Sequence, residues 1–547
     1  MTHDPTIGGQ TPGPAPAAPP PAGLALVLAK ALALLVAGAG AGLLASWKLN
    51  LGVVPGAVIG LSIVGVGFFA LLGLQGAPRE MGFTFGLKFL SVTAYKLLNV
   101  TLVLWLANDL GYSKESALAL IAGWSIVMSV STLLAGSVTD ALGLRRTLLI
   151  GVGLCVATRL IMALTTNGTV ALACGLLPLA VGEALCTPVL VAALRRFSTT
   201  RQRSVAFSLF YAIMNLGFMV AYFLFDGIRE SLLAHGRPSL PLVGGQLSEF
   251  RTLLLASMAI EVLAIPFILL LRPGAEMTDQ GLRITPEQPR YPDAGGWRSL
   301  WFTVRDAARD VVNLFAGLVR TAGFYRLLVF LLMIGFLKVV FNVMDYVLPT
   351  FAIQELGAEV RVGRFNAING ILILVLAPAV GLLTQRYSAY PMVILGGFIT
   401  ALSFVFVVLP TRVFEGLASG WVGHAIGHGY MELAGNVHPY YVMIVFWQIV
   451  FSIGEAFYSP RVYEYAASIA PKGQEASYAS LSYVPLLIGK IITGTAFGGL
   501  LARYCPAEGP RDPGTMWLLI GLMVLVAPVG LLALRPIIRM KESGRET

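Results

Sequence analysis

The chain has 547 residues, of which 56% are apolar and 12% charged, with a mean hydropathy of +0.78 and a formal charge of +10. That is too little charge to clothe a water-soluble surface of this size, so the composition excludes a soluble globular protein and indicates a polytopic membrane protein. The positive balance fits attraction to anionic lipid head groups, and no basic run alternates with aromatics as a nucleic-acid partner would require.

In chain order, residues 1–22 are rich in Pro and Gly and are expected to form a disordered tail. The tail lacks the basic start of a secretory signal, and the apolar run after it is too long for a signal core, so that run is expected to be retained. A spanning helix needs ~20 mostly apolar residues, because lipid offers its backbone no partner. Fourteen runs qualify, at 23–46, 52–75, 86–107, 116–138, 147–166, 169–194, 204–226, 252–271, 326–350, 365–385, 391–410, 440–466, 476–501 and 515–534. The first two make an extra pair, 23–80, whose small residues suit close packing; it reads as a peripheral hairpin or an insertion aid in preference to a regulatory element. The other twelve divide into six-helix bundles at 81–272 and 326–536. In the linker between them, 273–325, Trp297, Leu300, Trp301, Val304, Ala308, Val311, Val312, Phe315 and Leu318 share one helical face while arginines and aspartates take the other. This predicts an amphipathic helix in the cytoplasmic head-group layer or against the bundle ends. A basic tail, 537–547, ends the chain.

The two bundles are related. GEALCTP at 182–188 returns as GEAFYSP at 454–460, an offset of 272 residues, and SLFYAIMNLG at 208–217 returns in the same register as SLSYVPLLIG at 480–489. Each GEA copy places a carboxylate, Glu183 or Glu455, deep in an apolar run, where an unnecessary charge is costly. Duplicated bundles with polar groups in matching helices point to a transporter whose site lies between them. Pro188 and Pro460, five residues after those acids, are expected to bend runs six and twelve. Arginines collect at Arg145 and Arg146, Arg195 to Arg203, the central linker, Arg386 and the C-terminal tail, which puts these loops and both termini in the cytoplasm of a multi-pass protein of the cytoplasmic (inner) membrane.

The loop after run four, with Gly136, Asp140, Gly143, Arg145 and Arg146, resembles the G-x-x-x-D-x-x-G-x-R-R loop of the major facilitator superfamily. The resemblance implies an all-α fold of two six-helix bundles, here with two extra N-terminal helices, and gives those five residues a gating role as a latch toward Lys472 to Glu475. The second-half counterpart, Gly381 to Arg386, has Gln385 where the acid stood. Within that superfamily the chain is most similar to the proton-dependent oligopeptide transporters, through Phe207-Ser208-Leu209-Phe210-Tyr211 with Asn215 and Gly217, and through Gly454-Glu455 with Ser459-Pro460 and Ala470-Pro471. In that branch the acid matching Glu455 is associated with the peptide amino terminus. Its E-x-x-E-R motif is absent, because the aligned stretch runs from Lys88 to Val92 without an acid, and Thr187 replaces its usual lysine.

The resemblance sets runs three, six, nine and twelve around the central cavity, and each carries a deep charge: Lys96, Glu183, Lys338 and Glu455. Two pairs are expected, Lys96 with Glu183 and Lys338 with Glu455, because a buried lone charge is costly. Asp345, seven residues beyond Lys338, shares nearly its face. With Asn99, Tyr211, Asn215 and Lys490 these residues make up the candidate site for substrate and protons. Arg159 and Glu261 are assigned structural roles, and Arg461 and Glu464 a local ion pair or a gate contact. His424, His428 and Glu432 have metal-ligand spacing in a glycine-rich loop and are read as solvated surface.

The sequence therefore reads as a secondary transporter that moves a small polar or zwitterionic solute by alternating access, with proton coupling. It is expected to be no enzyme, to need no cofactor or metal, to bind a small-molecule substrate, protons and lipid but no nucleic acid, and to act as a monomer. An ATP-driven pump lacks its phosphate-binding loop here. An exporter of amphipathic compounds, or a membrane enzyme or non-transporting scaffold on a transporter fold, remains open on sequence alone.

Overall fold

The computed structural model describes residues 24–48, 52–199, 202–240, 245–278, 281–285, 298, 301–302, 305–306, 309, 322–384, 387–468, 484–506 and 508–539. The apolar runs are helices, as lipid demands: α1 (24–48), α2 (Val53–Gly73), α3 (Arg79–Asn108), α4 (Lys114–Leu142), α5 (Leu144–Leu164), α6 (Gly168–Arg196), α7 (Arg203–His235), α8 (Glu249–Leu270), α9 (Phe324–Leu356), α10 (Val362–Leu383), α11 (Ala389–Val408), α12 (Pro439–Ser468), α13 (484–504) and α14 (Pro513–Ala533). Among the described residues ten helices are long and apolar enough to cross a membrane, and shorter apolar segments occur in α1, α2 and α10. Two short antiparallel hairpins, Ser239–Leu240 with Gly245–Gln246 and Ala275–Thr278 with Gly281–Ile284, add to the helices expected from the sequence. The amphipathic helix expected at 297–320 lies outside the described residues except for a few positions, as do the 1–22 tail, Ala470-Pro471, Lys472 to Glu475 and nearly all of 537–547.

Small residues in α1 and α2 bring the pair together: a Cβ on Gly42 would fall 2.8 Å from the Gly56 carbonyl oxygen, and one on Gly56 2.5 Å from that of Gly42. α2 then packs on α7, and Gln202 Nε2 donates to the Gln75 carbonyl at 2.8 Å.

The bundle has two ends, a proximal one at the turn between α4 and α5 and a distal one at the turn between α3 and α4. At the proximal end the expected loop is mostly helix. Gly136 and Asp140 belong to α4, which runs to Leu142, and the turn is concentrated at Gly143, whose φ of +82° suits glycine. Arg145 and Arg146 start α5, half-buried and exposed respectively, and the latch contact of Asp140 lies outside the described residues.

At the distal end the halves close on one another. A Cβ on Gly363 of α10 would sit 1.9 Å from the Tyr222 carbonyl oxygen of α7, and one on Gly498 of α13 2.5 Å from Glu115 Cα of α4. α10 begins at Val362 without a side-chain cap of its own. Its first N–H groups, which have no partner within the helix, are met from the other half: Asp226 on α7 accepts from Gly363 N at 2.8 Å and Arg364 N at 2.6 Å. Around this cap Arg229 donates to the Ala358 carbonyl at 3.0 Å, Arg361 pairs with Glu230 and Glu432, and Arg364 pairs with Glu432 at 2.8 Å. Glu432, read from the sequence as solvated surface, is half-buried and pairs with both arginines.

The two proline copies differ. α6 is interrupted at Leu185–Cys186, just before Pro188, whereas α12 continues from Pro439 to Ser468 through Pro460. The expected bend appears as a break only in the first half, because the Cys186 N–H leaves the helical ladder to bond the Glu183 carbonyl at 3.1 Å.

Candidate functional site

α3 carries Lys88 and Lys96, eight residues apart and so ~12 Å apart along its axis, which places the two ammonium groups at different depths. Lys96 Nζ donates to Asp345 Oδ2 at 2.7 Å, joining α3 of the first half to α9 of the second. Asn99 Nδ2 donates to the same oxygen at 2.9 Å, Tyr222 Oη donates to Oδ1 at 3.0 Å, and Tyr346 Oη donates to Asn99 Oδ1 at 2.6 Å. All five side chains are buried. Asp345 lies in the π-helical turn Val343–Val347, a local widening of α9 often found at functional positions. Lys96 also rests over the rings of Phe218 at 4.7 Å and Tyr222 at 5.3 Å.

The expected Lys96–Glu183 pair does not form. Glu183 is met by Arg159, whose Nη2 donates to Oε1 at 2.5 Å, while Arg159 Nη1 stands 3.4 Å from Glu261 Oε2. Arg159 and Glu261, assigned on sequence to structural roles, are in direct contact with a cavity-helix acid or its partner. The reason is local. α5 and α6 are antiparallel neighbours in tight contact, with a Cβ on Gly182 falling 2.8 Å from Cys155 Sγ, so Arg159 and Glu183 face each other across that seam.

The second expected pair is also replaced. Lys338 Nζ donates to Ser459 Oγ at 3.0 Å and rests over Phe341 and Tyr458 at 4.7 and 5.1 Å, attracting Glu455 through space without an ion pair. Glu455 Oε2 accepts from Asn369 Nδ2 at 2.7 Å, and its Oε1 has no protein partner among the described residues. Asn369 also reaches Ser452 Oγ at 3.0 Å, and Gln448 Nε2 donates to Asn366 Oδ1 at 3.0 Å, so α10 and α12 share a polar ladder. The matched acids therefore have unmatched partners, a guanidinium for Glu183 and an amide for Glu455. Both are buried inside the protein, at 4% and 3% exposure, and neither faces lipid.

Two further lysines lack ion pairs among the described residues. Lys88, 2% exposed, lies 4.6 Å from the Phe210 ring centroid with no hydrogen-bond partner among those residues. Lys490 Nζ is 3.3 Å from Tyr95 Oη and sits over Trp124 at 4.9 Å. Sequence reasoning treats Lys88 only as the place of a lost acid motif, although its charge in an apolar run is the signal. It misses Asn366 and Asn369 outright; two asparagines at i, i+3 in an apolar helix mark them. Asn215 Nδ2 donates to the Tyr211 carbonyl at 3.0 Å within α7, where that helix packs on α10. Arg461 donates to Thr384, holding the proximal end of α12 to α10. Among the described residues no group of His, Cys, Asp and Glu could hold a metal ion.

Residues 84–431 match the family model of the Major Facilitator Superfamily. Among solved structures, the chain is similar to a peptide transporter of the POT family in complex with sulfate, at TM-score 0.63 and 17% identity over 85% of this chain and 96% of that one. It is similar to a POT family transporter in complex with 5-aminolevulinic acid, at TM-score 0.63 and 16% identity over 86% and 98%. A bacterial homologue of the human drug peptide transporters follows at TM-score 0.57 and 18% identity over 84% and 98%. At these identities the likeness establishes the fold. No curated protein matches the sequence.

Proposed function

Because the chain belongs to the Major Facilitator Superfamily, a family of membrane transporters, we propose that it carries a small zwitterionic solute of peptide-like character across the cytoplasmic membrane by alternating access, coupled to protons. The observation that carries this reading is the distribution of incompletely paired charge. Glu455 keeps one oxygen without a protein partner among the described residues, while Lys88, Lys338 and Lys490 are held by hydroxyls and aromatic faces in place of carboxylates. Buried charges left in this condition are costly, and a ligand bearing both an ammonium and a carboxylate complements them. The ammonium goes to Glu455, and the carboxylate to Lys490. The similar POT family structure bound to 5-aminolevulinic acid, a molecule with both groups, supports that class of solute.

The distal end, on this reading, faces outward and is closed here by the Asp226 cap and the arginine cluster, so the conformation is the one that opens toward the cytoplasm. Lys96 and Asp345 pin the halves together beneath that closure and act as the pivot. The protein is reconstituted into proteoliposomes with an acidic exterior and offered labelled dialanine, single amino acids and organic ions. Inward accumulation of dialanine is expected, reduced about 10-fold or more in Glu455→Gln, whose amide cannot balance an ammonium. Absence of uptake and counterflow for every class offered would refute the reading.

A further inference from the structure

The site above leaves unused a charged cluster closed off from water in the first half. Arg159 and Glu261 are each 0% exposed, and Glu183 is 4% exposed. One guanidinium thus serves two carboxylates, with a net charge of −1. The sharing is uneven. Glu183 takes a short charge-assisted hydrogen bond, whereas Glu261 has only the longer ion pair with Arg159 Nη1 at 3.4 Å and the Ser91 hydroxyl beside it, and neither its oxygens nor Arg159 Nε and Nη1 reach full hydrogen-bond geometry among the described residues. A purely structural triad would be expected to satisfy those atoms, since a half-satisfied buried network is worse than an apolar one.

The geometry points to Glu261 as the carrier of the coupling proton, with Arg159 and Glu183 as the relay that reports its charge to the other half. This rests on the proton-coupled reading above. A proton delivered by water converts the Glu261 carboxylate to a neutral acid, taking the triad from −1 to 0, and its release to water on the other side restores the charge. In the distally closed conformation Glu261 is sealed, as a carrier that must not leak protons requires. The groups facing the triad are Lys88, Ser91 and Tyr95 on α3, Cys155 on α5, Cys186 on α6 and Lys490 on α13. Lys490 belongs to the opposite half and attracts Glu183. When Glu261 is neutral, Arg159 is left wholly to Glu183, the pull of Glu183 on Lys490 weakens, and the halves are freed to rock.

The full-length protein in lipid nanodiscs is titrated from about pH 8 to about pH 4 while the infrared C=O stretch of carboxylic acids shielded from rapid deuterium exchange is followed. Wild type should gain one such band on acidification, Glu261→Gln should lose it, and Glu455→Gln should keep it. No shielded band in wild type, or a full band in Glu261→Gln, overturns the inference. Should Glu261→Gln fail to fold, Glu183→Gln decides: Arg159 then serves Glu261 alone, so the band must move to lower pH, and an unmoved band is fatal to the idea. In proteoliposomes, dialanine uptake by Glu261→Gln should lose its response to an imposed pH gradient. A wild-type protein that carries no dialanine counts against the proposed function, while the infrared titration still decides the role of Glu261.

Discussion

Removing the charge of Asp226 tests the distal closure most directly. Its carboxylate accepts two backbone N–H groups at the start of α10, at 2.8 and 2.6 Å, and Asp226 is only 5% exposed. Hydrogen bonds to a charged group contribute ~1.5–3 kcal/mol each, and a negative charge at a helix N-terminus adds up to ~2 kcal/mol in a partly buried setting. The substitution Asp226→Asn keeps one acceptor oxygen but loses the charge and one bond, so closure should weaken by ~2 kcal/mol, about 30-fold in the ratio of closed to open. The assay is single-molecule energy transfer between dyes on cysteines placed at Ala234 and Ala358, in a background where the exposed Cys174 has been replaced. The open population should rise in Asp226→Asn. An unchanged distance distribution in a variant of wild-type thermal stability would mean that this cap does not hold the gate.

Gly363→Ala attacks the same seam sterically: its Cβ would fall 1.9 Å from a backbone oxygen of α7, so the same dye pair should report a larger open fraction, and a closed majority would count against the close approach. Breaking the Lys96–Asp345 pair from one side leaves a buried charge, so Lys96→Met or Asp345→Asn alone should each cost ~3 kcal/mol or more, seen as a lower Tm, while the double variant recovers part of the loss. Simple additivity of the two losses would argue that the ions act independently. Asp109, just past α3, is pushed above the ordinary carboxylate range by burial, against the opposing bond from Ser248 at 2.7 Å. The folded state therefore binds its proton more tightly than the unfolded chain, so stability falls as pH rises from the ordinary value of 3.8 through the raised one. Asp109→Asn should raise Tm at neutral pH and flatten that slope, and a lower Tm at neutral pH would contradict this assignment.

Much of this architecture is written in the sequence. The apolar runs dictated helices because an unpaired backbone group has no place in lipid, and the 272-residue echo declared two related halves. The depth of Lys96, Glu183, Lys338 and Glu455 followed from the runs that hold them, and all four are buried. Partner choice did not follow. The helical repeat fixes which residues share a face of one helix, but the rotation and axial offset of that helix against its neighbours are set jointly by every contact along it. Lys96 found Asp345 across the halves, and Glu183 found Arg159 across a glycine-lined seam within its own half. The Asp226 cap needed two helices more than a hundred residues apart to meet end on, a fact of tertiary packing alone. The chain thus determined which charges must be buried, and only the assembled bundle decided which partner each of them would meet.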